Sequence, residues 1–369
     1  MRPRTLAAFV AISIPMGGCA TPYMAAKAAE KRSIEQAEES LAGERYVAIG
    51  SSFAAGPMLP PPKPGAPARC GQSLNNYPTL VAERFGMVLV DRSCSGAKTD
   101  HVLGPWGDIP AQIASVDAST RLVTVTIGGN DLSYIGNLFS ATCQYRAAQA
   151  PAGTKLKPCA PVRVPEEADY ARTEAQLLKI AQTVREKAPK ARLVLVQYLT
   201  PLPAPGVSCP ATPVSARDAE IVRSIGTRLA QITDRVGQQT GALVVEMNIN
   251  SAAHTPCDAE PWMIGAPAGY DGSQGLQWHL NLAGMKQTAN DISWWLTRSG
   301  VKPVKPMVEF DPPLGETTPS AAQDEAWTAE PAPEASAADK PAEQPATPAP
   351  SPTAEPEAGP APQPPGLPG

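Results

Sequence analysis

Groups that titrate near neutral pH are scarce in this chain. Its 369 residues include only three histidines, at positions 101, 254 and 279, so a reaction needing an imidazole has three candidates. No two cysteines have C-x-x-C spacing, which argues against a structural zinc site. The apolar stretch at residues 6–14 is too short to span a bilayer stably. No strong charge excess exists either. The net charge is −4, and without the acidic segment from Glu309 onward the balance is 30 lysine and arginine against 24 aspartate and glutamate. That mild basicity is too weak to imply nucleic acid as a partner.

What remains is informative at both ends. Arg2 and Arg4 precede the short apolar stretch, and Met16-Gly17-Gly18-Cys19 follows it. A charged start, a short apolar segment and small residues read as an export signal. Cys19 after Gly-Gly resembles a bacterial lipobox, so residues 1–19 are expected to be a lipoprotein-type signal ending at a lipidated Cys19. The bland alternative is an ordinary signal peptide and a soluble secreted protein. Residues 20–43 are rich in alanine, glutamate and lysine and are expected to form a helical spacer. From Glu309 onward proline and alanine dominate, with eleven acidic residues and one basic. Such a composition cannot bury enough apolar surface to order itself, so residues 305–369 are read as a disordered acidic tail that could contact envelope components. Residues 44–304 are left for one α/β domain.

Six cysteines lie in that domain: Cys70, Cys94, Cys143, Cys159, Cys209 and Cys257. An even count in an exported chain points to disulfides. Of the fifteen possible pairings we take the nearest-neighbour one, Cys70–Cys94, Cys143–Cys159 and Cys209–Cys257. Each bridge contributes about 3–4 kcal/mol in the chain-entropy account.

Strand-like runs fall at residues 46–50, 87–91, 122–127, 192–197 and 242–247. Helical spacing marks 77–85, 166–187, 215–239 and 282–297, with Ser215 as an N-cap and Gly241 as a stop. Strands alternating with helices imply a mostly parallel sheet covered on both faces. In such sheets ligands bind beyond the carboxyl ends of the strands. Three segments fall there. Gly50-Ser51-Ser52 follows the first strand, Cys94-Ser95-Gly96-Ala97 follows the second, and Gly128-Gly129-Asn130-Asp131 follows the third. Ser52 can present a hydroxyl at the rim of the sheet, Gly96 a main-chain N–H, and Asn130 a neutral amide donor. His279 stands just before the last helix.

Taken together, Ser52, Gly96, Asn130 and His279 resemble the four blocks of the SGNH/GDSL hydrolase family, in that family's order and over about residues 46–297. Cys70-Gly71-Gln72-Ser73, Tyr77-Pro78 and Cys257-Asp258-Ala259-Glu260-Pro261-Trp262 resemble its disulfide-bearing branch of secreted actinobacterial lipases and esterases. The resemblance implies a flavodoxin-like three-layer α/β/α sandwich with a five-stranded sheet. It implies ester hydrolysis through a Ser52 acyl-enzyme, with His279 as general base. The oxyanion hole would be the N–H groups of Ser52 and Gly96 and the Asn130 side chain. No cofactor and no metal are required.

There are two departures. Ser51 stands where the family usually has an aspartate, which concerns the bracing of the turn. Leu276 stands where many members place the aspartate that orients the histidine. A backbone carbonyl at Leu276 would orient His279 instead, or Asp271 would swing in from the preceding loop. We favour the carbonyl.

Blander roles are expected elsewhere. His101 and His254 read as loop histidines, and Asp131 as a cap of the turn after Asn130. Trp106, Trp262 and Trp278 read mainly as packing, with Trp278 the strongest candidate for a pocket wall. Residues 57–67 form a proline-rich loop that either walls the cleft or is simply rigid surface. Three functions stay open: a lipase or esterase on lipid or small acyl esters, a deacetylase of envelope polysaccharide, and a non-catalytic envelope scaffold. The expected partners are an ester substrate and, through the lipid anchor, a membrane.

Overall fold

The computed structural model describes residues 39–305. The expected signal, Cys19, residues 20–38 and the tail beyond Lys305 lie outside the described residues. Strand β1 is Glu39–Ser40, followed by β2 Arg45–Gly50, the four-residue helix α1 Ser52–Ala55, α2 Tyr77–Phe85 and β3 Val88–Asp91. Next come α3 Thr99–Leu103, β4 Thr120–Thr126, α4 Tyr134–Ala148, α5 Glu167–Lys187 and β5 Arg192–Val196. The chain closes with α6 Ala216–Thr240, β6 Leu243–Val245, α7 Met247–Asn250, α8 Leu282–Arg298 and β7 Val301–Lys302.

Five strands form one sheet in the order β3-β2-β4-β5-β6, and every neighbouring pair is parallel. The chain order reverses at β2, whose neighbours are β3 and β4. Crevices form where connections leave in opposite directions. The strands are apolar on both faces: all of Tyr46–Gly50 is buried, as is all of Leu122–Thr126. A strand covered on both sides reads as a continuous apolar run rather than an alternating one. Helices α2 and α8 pack on each other, while α6 packs against α4 and α5.

Local signals account for most boundaries. The Asn76 side chain accepts the Thr79 N–H, and Pro78 sits in the first turn of α2. Ser215 caps α6 by accepting the Asp218 N–H, and Gly241 ends it at φ 61°. Asn281 caps α8 through the Gly284 N–H. The three disulfides join Cys70 to Cys94, Cys143 to Cys159 and Cys209 to Cys257, the nearest-neighbour pattern. They place the domain in an oxidising compartment.

The spacer expectation needs correction at its end. Residues 39–43 are a strand and a turn, not helix. β1 pairs in parallel with β7, and Leu41 is buried. The folded domain therefore includes the five residues before position 44. Burial of the Leu41 side chain is a tertiary effect that overrides the helical preference of the alanine- and glutamate-rich stretch.

Candidate active site

The site is assembled at the carboxyl edge of β2 and β4. Beyond β2 the Ser51 N–H donates to the Thr126 carbonyl at 2.9 Å. A Cβ at Gly50 would lie 2.8 Å from the Thr126 carbonyl oxygen and 2.9 Å from the Ala54 Cβ, so only glycine allows so close a passage. The Gln112 side chain grips Gly50 from the other side. Its Oε1 accepts the Gly50 N–H at 2.8 Å, and its Nε2 donates to the Gly50 carbonyl at 3.0 Å. Ser52 then opens α1 at 8% exposure. Its own N–H and that of Gly96 donate to no other described residue.

His279 meets Ser52 directly, with Nε2 2.8 Å from the Ser52 Oγ. Its Nδ1 is 2.8 Å from the Gln277 carbonyl oxygen. A carbonyl only accepts, so Nδ1 carries the hydrogen and Nε2 presents its lone pair to the serine hydroxyl. Burial, opposed by the Gln277 carbonyl, lowers the imidazole pKa to about 4. The ring is thus neutral at pH 7 and free to take a proton. Phe53 and Phe139 flank it, with ring centroids 5.4 Å and 6.4 Å away.

The orienting carbonyl belongs to Gln277 rather than Leu276. The Leu276 carbonyl instead accepts the His279 N–H at 3.2 Å, and the Leu276 N–H donates to Pro57 at 3.0 Å. Trp278, between Gln277 and His279, has φ 60°, and this left-handed turn moves the useful carbonyl one residue along. Asp271 does not reach the ring. It is exposed, and its carboxylate accepts the Ser273 N–H at 2.9 Å, which holds its pKa below the usual value. Asp271→Ala should keep more than about half of wild-type kcat/KM; a loss rivalling that of a His279 substitution would restore the triad alternative.

Asn130, partly exposed, donates through Nδ2 to the Ala97 carbonyl at 2.9 Å. This fixes the amide beside the Gly96 turn. Gly96 has φ 82° and is exposed, so its N–H is available at the rim. The Cys94 N–H donates to the Gly50 carbonyl at 3.0 Å, and the Cys70–Cys94 bridge ties this turn to the segment after the proline-rich loop. The structure therefore brings Ser52 and His279 together and sets Gly96 and Asn130 on the two loops that flank β2.

Other expected roles resolve differently. Asp131 does not cap its own turn. It accepts the N–H and hydroxyl of Thr99, the first residue of α3, at 3.1 Å and 2.6 Å. His101 stacks on Trp106 at 4.0 Å and His254 on Trp262 at 3.8 Å, and neither bonds to Ser52. Trp106 lies beside the Gly96 turn, 3.3 Å from where a Cβ there would sit. Trp278 is 0% exposed and so is packing, not a wall. Leu59 and Pro60 of the proline-rich loop line a cleft of about 380 Å³ with Asn281 and Leu282, whose lining includes none of Ser52, Gly96, Asn130 and His279. A larger cavity of about 1010 Å³ lies elsewhere, among Arg146, Leu202, Cys209 and Arg223, and holds none of the four expected site residues. Sequence reasoning missed Gln112 and Gln277. Gln277 carried a signal, its place two residues before the histidine. Gln112 carried none, because its pairing with Gly50 spans 62 residues.

A parallel sheet of order β3-β2-β4-β5-β6 with a buried hydroxyl–imidazole pair past its carboxyl edge defines an SGNH-type α/β hydrolase. Residues 48–287 match the GDSL-like lipase/acylhydrolase family, and the chain belongs to it. Lipase 2 of Streptomyces coelicolor is 31% identical over 229 residues, 60% of this chain and 77% of that protein. A lipase of Streptomyces rimosus is 26% identical over 219 residues, 59% of this chain and 75% of that protein. The crystal structure of phospholipase A1 from Streptomyces albidoflavus superimposes with a TM-score of 0.53 at 20% identity, covering 69% of this chain and 99% of the other. That likeness shows the fold. The chain is an ester hydrolase.

Proposed function

We propose that the protein is a serine carboxylester hydrolase acting on lipid or small acyl esters. The carrying observation is the 2.8 Å contact between His279 Nε2 and Ser52 Oγ, with Nδ1 held by a carbonyl. Ser52 attacks the ester carbonyl carbon while His279 takes the hydroxyl proton. The tetrahedral oxyanion is held by the free N–H groups of Ser52 and Gly96 and by the Asn130 amide, each such donor being worth about 10²–10³ in rate. The C–O bond to the alcohol breaks as His279 returns the proton to the leaving oxygen. Water, deprotonated by the same imidazole, then cleaves the acyl-enzyme and regenerates Ser52.

An acyl chain is supported by the apolar rim. Met58, Phe139 and Leu282 are exposed, and each belongs to a segment beside the Ser52–His279 pair. Exposed apolar side chains grouped at a site favour an apolar ligand. Export follows from the disulfides, and the lipid anchor at Cys19 remains part of this proposal.

Wild type and Ser52→Ala should be compared on p-nitrophenyl acetate, butyrate and palmitate. The expected result is cleavage of butyrate and longer esters by wild type, with loss of about 10⁴-fold or more in the variant. Hydrolysis confined to acetate would favour the polysaccharide deacetylase, and no hydrolysis at all would favour the scaffold.

A further inference from the structure

We propose that Tyr198 is a positioning residue that locks the nucleophile turn to the oxyanion loop through Ser51. The inference rests on the hydrolase reading above. Tyr198 lies two residues past β5, and its ring is buried at 7% exposure. Its hydroxyl is 2.8 Å from Ser51 Oγ and accepts the Gly129 N–H at 3.2 Å. One oxygen therefore touches the residue before the proposed nucleophile and the residue before the proposed oxyanion amide. With the Gly129 N–H filling a lone pair, the phenol hydrogen is free to point at Ser51.

The surroundings fix that oxygen. The ring packs on Phe53, inside α1, with centroids 4.6 Å apart, and Tyr134 meets it edge-on at 5.9 Å. A Cβ at Gly129 would come within 2.7 Å of the Tyr198 ring, so glycine there is matched to the tyrosine. Burial raises the phenol pKa far above neutral, so the group stays a hydroxyl throughout the working range. Ser51 is the residue at which this chain departs from its family's carboxylate. Here two neutral hydroxyls brace the turn, and no charged side chain among the described residues acts on the buried imidazole of His279.

The consequence is catalytic rather than merely structural. The Ser52 hydroxyl opens α1 and the Asn130 amide sits in the loop after β4, and their separation must suit one tetrahedral carbon. Misplacing reacting groups by about an ångström costs on the order of 10²-fold in rate. Removing the bridge loosens that alignment without removing any group that touches substrate.

The test uses Tyr198→Phe, Ser51→Ala and the double variant in the full-length protein. Three quantities are read: kcat and KM on p-nitrophenyl butyrate, and the rate of Ser52 labelling by a fluorophosphonate. Each single variant should lower kcat and the labelling rate by about ten- to a hundredfold with KM within about twofold. The double variant should be no slower than the worse single one, since both remove the same bond. Ser51→Ala breaks the contact from the other side should the tyrosine variant fold poorly. Single variants within about twofold of wild-type kcat, or losses that multiply in the double variant, overturn the proposal. A wild-type protein that labels at Ser52 but cleaves no ester fails the substrate reading and leaves this one to be judged on labelling.

Discussion

Replacing His279 with alanine lowers kcat by about four to six orders of magnitude, with KM for a soluble ester changed by less than about threefold. Neither of the other two histidines can substitute, because each is stacked on a tryptophan away from Ser52. The size of the loss reflects a unit that acts together. Without the imidazole the Ser52 hydroxyl keeps its proton, and only the N–H donors remain to hold charge in the transition state. The wild-type pH profile carries the same information. Burial holds the imidazole neutral down to about pH 4. As pH falls through that value the ring is protonated and kcat/KM falls with it. Above it the profile is flat through neutrality, whereas an ordinary histidine would already lose activity below about pH 6.5. In the alanine variant the residual rate shows no acid limb. A pH–rate series on p-nitrophenyl butyrate reads both outcomes, and a variant keeping more than about one per cent of wild-type kcat removes His279 from the mechanism.

Trp278→Ala is expected to destabilise the fold by about 3–5 kcal/mol, the usual cost of deleting a large buried aromatic. The ring is fully buried, and its Nε1–H donates to the Thr142 hydroxyl at 3.1 Å. Truncation leaves a cavity and an unpaired hydroxyl together. The change also reaches the site. Trp278 holds a left-handed backbone at φ 60°, and its N–H donates to Ile264 while Ile264 donates to the His279 carbonyl, both at 2.8 Å. Packing of the ring is what keeps this costly conformation in place, and with it the angle at which Gln277 meets the imidazole. Urea denaturation measures the first effect, with a lower midpoint and an unchanged slope. An unchanged midpoint would show that the ring contributes little.

The sheet was the most legible part of the chain. Each of the five apolar runs became a strand within two residues of its expected ends, because a strand buried on both faces leaves an uninterrupted signal. The helix from Tyr134 to Ala148 was not foreseen. Its apolar face is broken by buried Asn137 and Thr142, and Phe139 points outward, so the periodicity is weak. The two-residue strands β1 and β7 are too short to carry any pattern. Of the site, Ser52 and His279 were readable because strand ends and a pre-helical position fix where side chains emerge. The Gln112 clasp and the Tyr198 bridge were not, since both join residues more than sixty positions apart. Gln277 was missed by a single residue, and the reason is the backbone turn at Trp278.

The pairing of β1 with β7 sets how the molecule can be held. Glu39 bonds to Gly300, and the next contacts of these segments, Gly43 with Gly86 and Val304 with Arg84, lie where the chain is about to enter the sheet. Ser52 lies at the far end of β2, six residues and about 20 Å away. Both extensions therefore leave from one pole, and the reactive crevice opens at the other. A linker attached at either of these described ends would start on the side of the sheet away from Ser52.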